Sequence, residues 1–408
     1  MRLDSTRYLR TLAVVVAVGV VLAVAFVYVV DPYGLYRLIN QSGFNRVKPG
    51  LGRYQAEIKL THAARLRPDA LILGHSRAEI GFDPNSEAFV RRHLTPYNLA
   101  IPGSDIATAR EQIDYLYEIG LRPKVIVLGV EFLDYLEAQP AGLTPAPAVS
   151  VPRIKRMFWR FDSLFSLTSI KDSVRTLRIQ HDLFAERSSD AGFNPLTEYQ
   201  LIARKDGYFS MFRQRELENA KHYVTLSRAR LSDAGMIQLR TILSRGAIWN
   251  SETILIIYPY HAQIMAMFAA AGLMPAFDRW KELLVAEVAE AQQRNPSAKY
   301  AVYDFSGYGG YRCERIPVQG DLSAATQWYW EAGHFKKALG DVVLSQVLNT
   351  DKSASDREFG TLLTLETLRG NQMRISNELT QCAASYPQLF TQSATTIQAA
   401  QIAMQKGR

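Results

Sequence analysis

An uninterrupted apolar run from Leu12 to Val30, without a charged side chain, constrains this chain more than any other feature. Wound as a helix, a run of that length matches a hydrocarbon core of about 30 Å. Arg2, Arg7 and Arg10 precede it and Asp31 follows it. By the positive-inside rule the arginine flank lies in the cytoplasm. The sequence therefore predicts a single-pass anchor in a bacterial inner membrane, with everything after Asp31 in the periplasm. The alternative is a secretory signal peptide cut after Ala23-Val24-Ala25, where small residues suit a cleavage site. The apolar run continues past that point, whereas a signal's apolar region spans roughly 7–15 residues, which favours the anchor.

The chain has 408 residues and a formal net charge of +8. That balance suits phospholipid head groups, acidic glycans or nucleic acid alike. An extracytoplasmic location, with no zinc-finger spacing and no RNA-binding aromatic motif, argues against nucleic acid as a partner. Cys313 and Cys382 are the only cysteines. In an oxidising compartment they can form one disulfide tying the C-terminal segment to the main domain; two buried free thiols fit equally well.

Apolar runs bounded by turn residues read as buried strands at Ala70–Gly74, Tyr97–Ile101, Lys124–Val130, Thr253–Tyr258 and Tyr300–Phe305. Helical patterns alternate with them. In Ser104–Ile119, Ile106, Ala109, Ile113 and Leu116 share one face, with Ser104 as the expected N-cap and Gly120 as the stop. Two more run from about Phe277 to Gln293 and from His334 to about Leu348. This alternation predicts a largely parallel sheet with helices on both faces, a three-layer α/β/α domain.

Pro140, Pro145, Pro147 and Pro152 make Ala138–Pro152 a loop or linker. Arg153–Phe161 then interleaves basic and aromatic residues. It suits a membrane surface, a lid, or an amphipathic helix packed on the domain, and the last is the commoner use of such a pattern. A helical, polar insertion continues to about Arg245. The expected organisation is a cytoplasmic tip and anchor over 1–31, an α/β domain over 32–349 with its insertion at about 150–245, and a helical tail over 350–408. In the tail, Thr350–Arg357 is polar, a helical pattern runs through Leu362, Leu365, Leu368 and Met373, and the last residues read as frayed.

The strongest chemical signal is Leu71-Ile72-Leu73-Gly74-His75-Ser76-Arg77. A buried strand ends in glycine and delivers a serine to the turn after it, where open parallel sheets bind ligands. A serine becomes nucleophilic only with a base, an acid to orient that base, and amide donors for the oxyanion. His334 is the candidate base: alone among the seven histidines it has an acid, Glu331, three residues before it. That offset lets the carboxylate hold one imidazole nitrogen and present the other to the serine. Gly103, between a strand and a helix, is the candidate oxyanion donor. Arg77 and His261 are candidates for gripping substrate at the same rim. No His, Cys and carboxylate cluster has metal-ligand spacing, so neither a metal nor another cofactor is expected. Gly307–Gly310 lacks the Lys and Ser/Thr of a phosphate loop.

Ser76 in a first block, Gly103 in a second, and an acid-x-x-His near the end of the domain resemble the SGNH (GDSL-like) hydrolase superfamily. The spacing and the anchor resemble its envelope acyl-transfer branch, which includes the teichoic-acid D-alanyl transfer protein and the alginate O-acetylation proteins. The resemblance spans about Asp69 to Leu348. It implies a flavodoxin-like fold and a Ser76–His334–Glu331 triad acting as esterase or O-acyltransferase. It further implies an acyl donor, a surface-polysaccharide or cell-wall glycan acceptor, and a membrane-bound acyltransferase as partner. The sequence departs from the pattern in three places. Gly-His-Ser-Arg stands where Gly-Asp-Ser is usual, the triad acid is Glu, and Gly129-Val130-Glu131-Phe132 lacks the third-block Asn. The loss of that donor supports an alternative, an inactive SGNH-like binding or scaffolding subunit of a polysaccharide modification or export complex.

Overall fold

The computed structural model describes residues 2–52, 54–137, 158–348 and 359–406. The proline-rich loop, the start of the basic-aromatic segment and the polar stretch at 350–357 lie outside the described residues. The apolar run forms α1 (Arg2–Val30), the one helix among the described residues long and apolar enough to cross a membrane. Its side chains from Tyr8 to Leu22 are largely exposed, while Val27 and Val30 are buried against the rest of the chain. The last turn is fastened there. Asp31 accepts the amides of Leu35, Tyr36 and Arg37, and Asn45 donates to the Val30 carbonyl.

Besides two-residue strands at Lys48–Pro49, Leu136–Glu137, Arg187–Ser188 and Arg230–Leu231, the strands are β1 (Ala70–Leu73), β2 (Pro96–Asn98), β3 (Val125–Val130), β4 (Glu252–Ile257), β5 (Lys299–Asp304), β6 (Tyr329–Glu331), β7 (His334–Phe335) and β8 (Thr361–Leu362). Among the described residues the main sheet has the order β2-β1-β3-β4-β5-β8. The first five run parallel, and β8 is antiparallel to β5. Every residue of β1 and β3 is buried, as a parallel sheet covered on both faces requires. The second strand is shorter than its apolar run. Its hydrogen bonding to β1 continues singly, from Leu99 N to Ile72 O and from Ile101 N to Gly74 O.

Besides the short helices Glu87–Arg91 and Trp159–Phe165, the helices are α2 (Gln55–Leu66), α3 (Ser76–Gly81), α4 (Ile106–Glu118), α5 (Leu167–Arg178), α6 (Thr197–Leu226), α7 (Asp233–Trp249), α8 (Ala262–Ala270), α9 (Met274–Arg294), α10 (Lys337–Leu348), α11 (Leu368–Ser385) and α12 (Pro387–Lys406). One layer joins α4, α7 and α9; another joins α3 and α10. The contact within the second is close: a Cβ on Gly340 would sit 1.8 Å from the Gly81 carbonyl oxygen, so only glycine fits.

Five expectations change in detail. The helical pattern of the tail begins at Leu368, and Leu362 stands on β8 instead. The N-cap of α4 is Asp105, which accepts the Thr108 amide, whereas Ser104 donates to the Gly74 carbonyl. The last helix of the domain begins at Lys337, and His334 stands on a strand before it. Helix α7, whose sequence falls largely within the expected insertion, packs on α4 as part of the domain's own layer. The tail is not frayed through α12, because Ser393 and Ile397 are buried where that helix packs on α6 and α8. A Cys313–Cys382 disulfide ties the tail down, and Asn371 donates to Asp304 at the end of β5.

Candidate active site

The direction of strand addition reverses at β1, which lies between β2 and β3, and the carboxyl ends of strands at such a reversal are where open parallel sheets bind ligands. Ser76 stands at that end of β1, as the first residue of α3, and is half-buried. His75 caps the helix, its Nδ1 accepting the Arg77 amide at 3.2 Å.

The candidate base and acid come from the β6–β7 hairpin. Glu331 ends β6, His334 opens β7, and Ala332-Gly333 make the tight turn between them. His334 Nε2 lies 2.8 Å from Ser76 Oγ, although the two residues are 258 apart in sequence. His334 Nδ1 faces Glu331 Oε1, and Glu331 Oε2 accepts the Gly333 amide at 2.6 Å. Burial opposes ionisation of Glu331. The His334 imidazole, then Arg215 and the Gly333 amide, outweigh it and hold the carboxyl down to about 2. An ionised carboxylate only accepts, so Nδ1 carries the imidazole proton and Nε2 is left to accept from the serine hydroxyl.

Arg215, on α6, reaches the same carboxylate, with Nε 3.2 Å from Glu331 Oε2. No spacing in the sequence points to it, because it comes from a different element and meets Glu331 only through the tertiary fold.

Beneath the serine lies a second buried polar cluster. Glu131, one residue beyond β3, accepts from Arg77 Nη1, from His75 Nε2 at 3.1 Å and from the Tyr260 hydroxyl at 3.0 Å. Burial works against its charge, but Arg77, His75 and Tyr260 prevail and hold it down to about 2. Burial also lowers the pKa of His75, keeping that ring neutral. The third-block position is thus held by an acceptor with no proton to donate to an oxyanion.

Gly103 has φ +69°, a left-handed conformation that favours glycine, and open space where a Cβ would be. Its loop is fastened next to the serine, since both the Ile101 amide and the Ser104 hydroxyl bond the Gly74 carbonyl.

The other two candidates are placed differently from the expectation. Arg77 does not extend to the rim: its guanidinium is turned inward, donating to Glu131 and, through Nε at 2.8 Å, to the Gly333 carbonyl of the hairpin turn. It also lies 5.0 Å from the centre of the Tyr260 ring. His261 is fully buried as the N-cap of α8. Its Nδ1 accepts the Gln263 amide, its Nε2 donates to the Glu314 carbonyl, and its ring packs on Phe212 and Tyr329. Both of its nitrogens are taken, which leaves none for a substrate.

No protein-family model matches this chain, and no curated protein matches it in sequence. Among the described residues no group of three or more His, Cys, Asp and Glu side chains could hold a metal ion. The serine, the imidazole and the carboxylate are in mutual contact. They form a continuous hydrogen-bonded line from Ser76 through His334 to Glu331, which is the arrangement that activates a hydroxyl for attack on an acyl carbon.

Proposed function

We propose that this protein is a membrane-anchored, extracytoplasmic serine esterase or O-acyltransferase of SGNH type. Its catalytic residues are Ser76, His334 and Glu331, and it acts on a surface polysaccharide or cell-wall glycan. The observation that carries the reading is the 2.8 Å contact between His334 Nε2 and Ser76 Oγ, with Glu331 behind the ring. The parallel strands add in the order 2-1-3-4-5, which is the flavodoxin-like order and supports the same family. A disulfide suits a periplasmic domain.

In the proposed reaction Ser76 Oγ attacks the carbonyl carbon of an acyl ester and passes its proton to His334 Nε2. The carbonyl oxygen becomes an oxyanion held by the Ser76 and Gly103 amides. Collapse breaks the bond to the leaving oxygen, which takes the proton from His334. The acyl-Ser76 ester is then attacked by a glycan hydroxyl, or by water, that gives its proton to the same nitrogen. Release of Ser76 returns that proton to Oγ.

Turnover of a chromogenic acetyl ester by the full-length protein in detergent tests the reading, with and without a glycan acceptor. Turnover lost in both Ser76→Ala and His334→Ala supports it, and diversion of acetyl to the acceptor distinguishes transferase from esterase. The acceptor-only Glu131 favours a second reading, a binding subunit without catalysis. Folded wild-type protein with no turnover and no acyl adduct would select that reading.

A further inference from the structure

The end of α1 is not bare. Two helices pack against it, Trp159–Phe165 and α5. Tyr33 hydrogen-bonds Asp172 of α5 at 2.7 Å, and Tyr54 holds the shorter helix by a ring contact with Trp159 and a hydrogen bond to Asp162. The inward face of the short helix is thereby settled, with Ser163 only 1 % exposed.

Its outward face is apolar. Phe158, Phe161 and Phe165 recur at helical spacing and are 64 %, 57 % and 47 % exposed, and Leu167 just beyond is 78 % exposed. The rings of Phe161 and Phe165 stack at 4.1 Å, which makes one patch of them. Apolar surface is unfavourable in water, so a contiguous patch of large side chains marks a contact. This one adjoins the apolar surface of α1 where that helix meets the domain. Exposed Arg160 and Lys171 border it, Trp159 belongs to the same short helix, and the rings of Tyr28 and Tyr36 meet at the end of α1. Aromatic rings with a polar edge, next to basic side chains, are the composition of a membrane interface.

We infer that the Phe158–Leu167 face is a second membrane contact, lying in the boundary between head groups and acyl chains of the leaflet from which α1 emerges. The partner is the lipid bilayer itself, with Arg160 and Lys171 directed at anionic head groups. A helix across the membrane leaves a domain free to tilt; a second contact in the interface fixes its orientation and so the direction in which the carboxyl end of β1, with Ser76, faces. The inference rests on α1 as a membrane span, not on the proposed chemistry.

The test uses the full chain reconstituted in mixed phosphatidylethanolamine–phosphatidylglycerol vesicles. A bimane fluorophore is placed on F161C, L167C, V20C within α1, and M373C on the exposed side of α11; the native cysteines are blocked by their disulfide. Lipids carrying a nitroxide at a shallow or a deep acyl position are the quenchers. Loss of fluorescence at 161 and 167, stronger with the shallow quencher, alongside deep quenching at 20 and none at 373, is the expected result. Quenching at 20 with 161 and 167 no more affected than 373 overturns the interfacial contact and leaves the span. Absence of quenching at 20 overturns the span and the contact together.

Discussion

At Glu331 burial and charge compete, and charge wins because three partners converge on one carboxylate: the imidazole it orients, Arg215 and the Gly333 amide. Glu331→Gln keeps the shape but cannot stabilise the imidazolium. Ester turnover is expected to fall by about 10²–10⁴-fold, with the substrate KM much less affected. The same carboxylate makes stability depend on acid. Its folded pKa is depressed to about 2, as is that of Glu131, below the ordinary glutamate value of about 4.3. Both contributions are complete above that ordinary value and are lost as pH falls from it towards 2. Thermal unfolding followed from pH 7 downward should show the fall, and Glu331→Gln should flatten it. A contrasting prediction concerns His261, which burial holds neutral, its pKa lowered to about 4. His261→Ala leaves the Glu314 carbonyl and the Gln263 amide without their partner. It should destabilise by about 1–3 kcal/mol in chemical denaturation while the folded protein retains its turnover. Sequence order placed His261 after a strand, at the correct end of the sheet. It carried no information on whether the ring nitrogens were already taken, and the same holds for Arg77.

Among the elements, the buried parallel strands were legible because strands covered on both faces must be apolar throughout, as Leu71-Ile72-Leu73 and Ile254-Leu255-Ile256-Ile257 are. The acid-x-x-His offset was legible for another reason. Glu331 and His334 meet across a two-residue turn, so their contact is local, and only the 2.8 Å approach of Ser76 needed the fold. Arg215 was not legible as a site neighbour, since it reaches Glu331 from a distant element, and Glu131 was legible only as the residue standing at the third-block position, not as the partner of Arg77 and His75. The tail misled because its Gln, Ala, Ser and Thr residues resemble a frayed end, yet small side chains are what a helix packed closely on α6 and α8 requires. The disulfide between Cys313 and Cys382 spans a sequence separation of 69, so breaking it should release considerable chain entropy in the unfolded state. Cys313→Ser with Cys382→Ser, or simple reduction, should cost about 2–5 kcal/mol and expose α11 and α12 to proteolysis. Gly340→Ala tests the other layer. The added methyl meets the Gly81 carbonyl and must push α3, which begins at Ser76, away from α10. A loss of about 1–3 kcal/mol in stability is expected, accompanied by reduced turnover measured below the unfolding temperature.

For the whole molecule, two features frame the account: a helix able to cross a membrane, packed at its last turn into the domain, and a serine–histidine–glutamate line at the reversal point of a parallel sheet. The proposed membrane location rests on the first and the proposed chemistry on the second. The measurement that bears most directly on the second is covalent labelling of the full-length protein in detergent with a fluorophosphonate, followed by mapping of the modified peptide by mass spectrometry. The account predicts an adduct on Ser76 in the wild type, no adduct in Ser76→Ala, and labelling slowed by about 10²–10⁴-fold in His334→Ala. Folded wild-type protein that takes no label, or label that persists undiminished in Ser76→Ala, would contradict it.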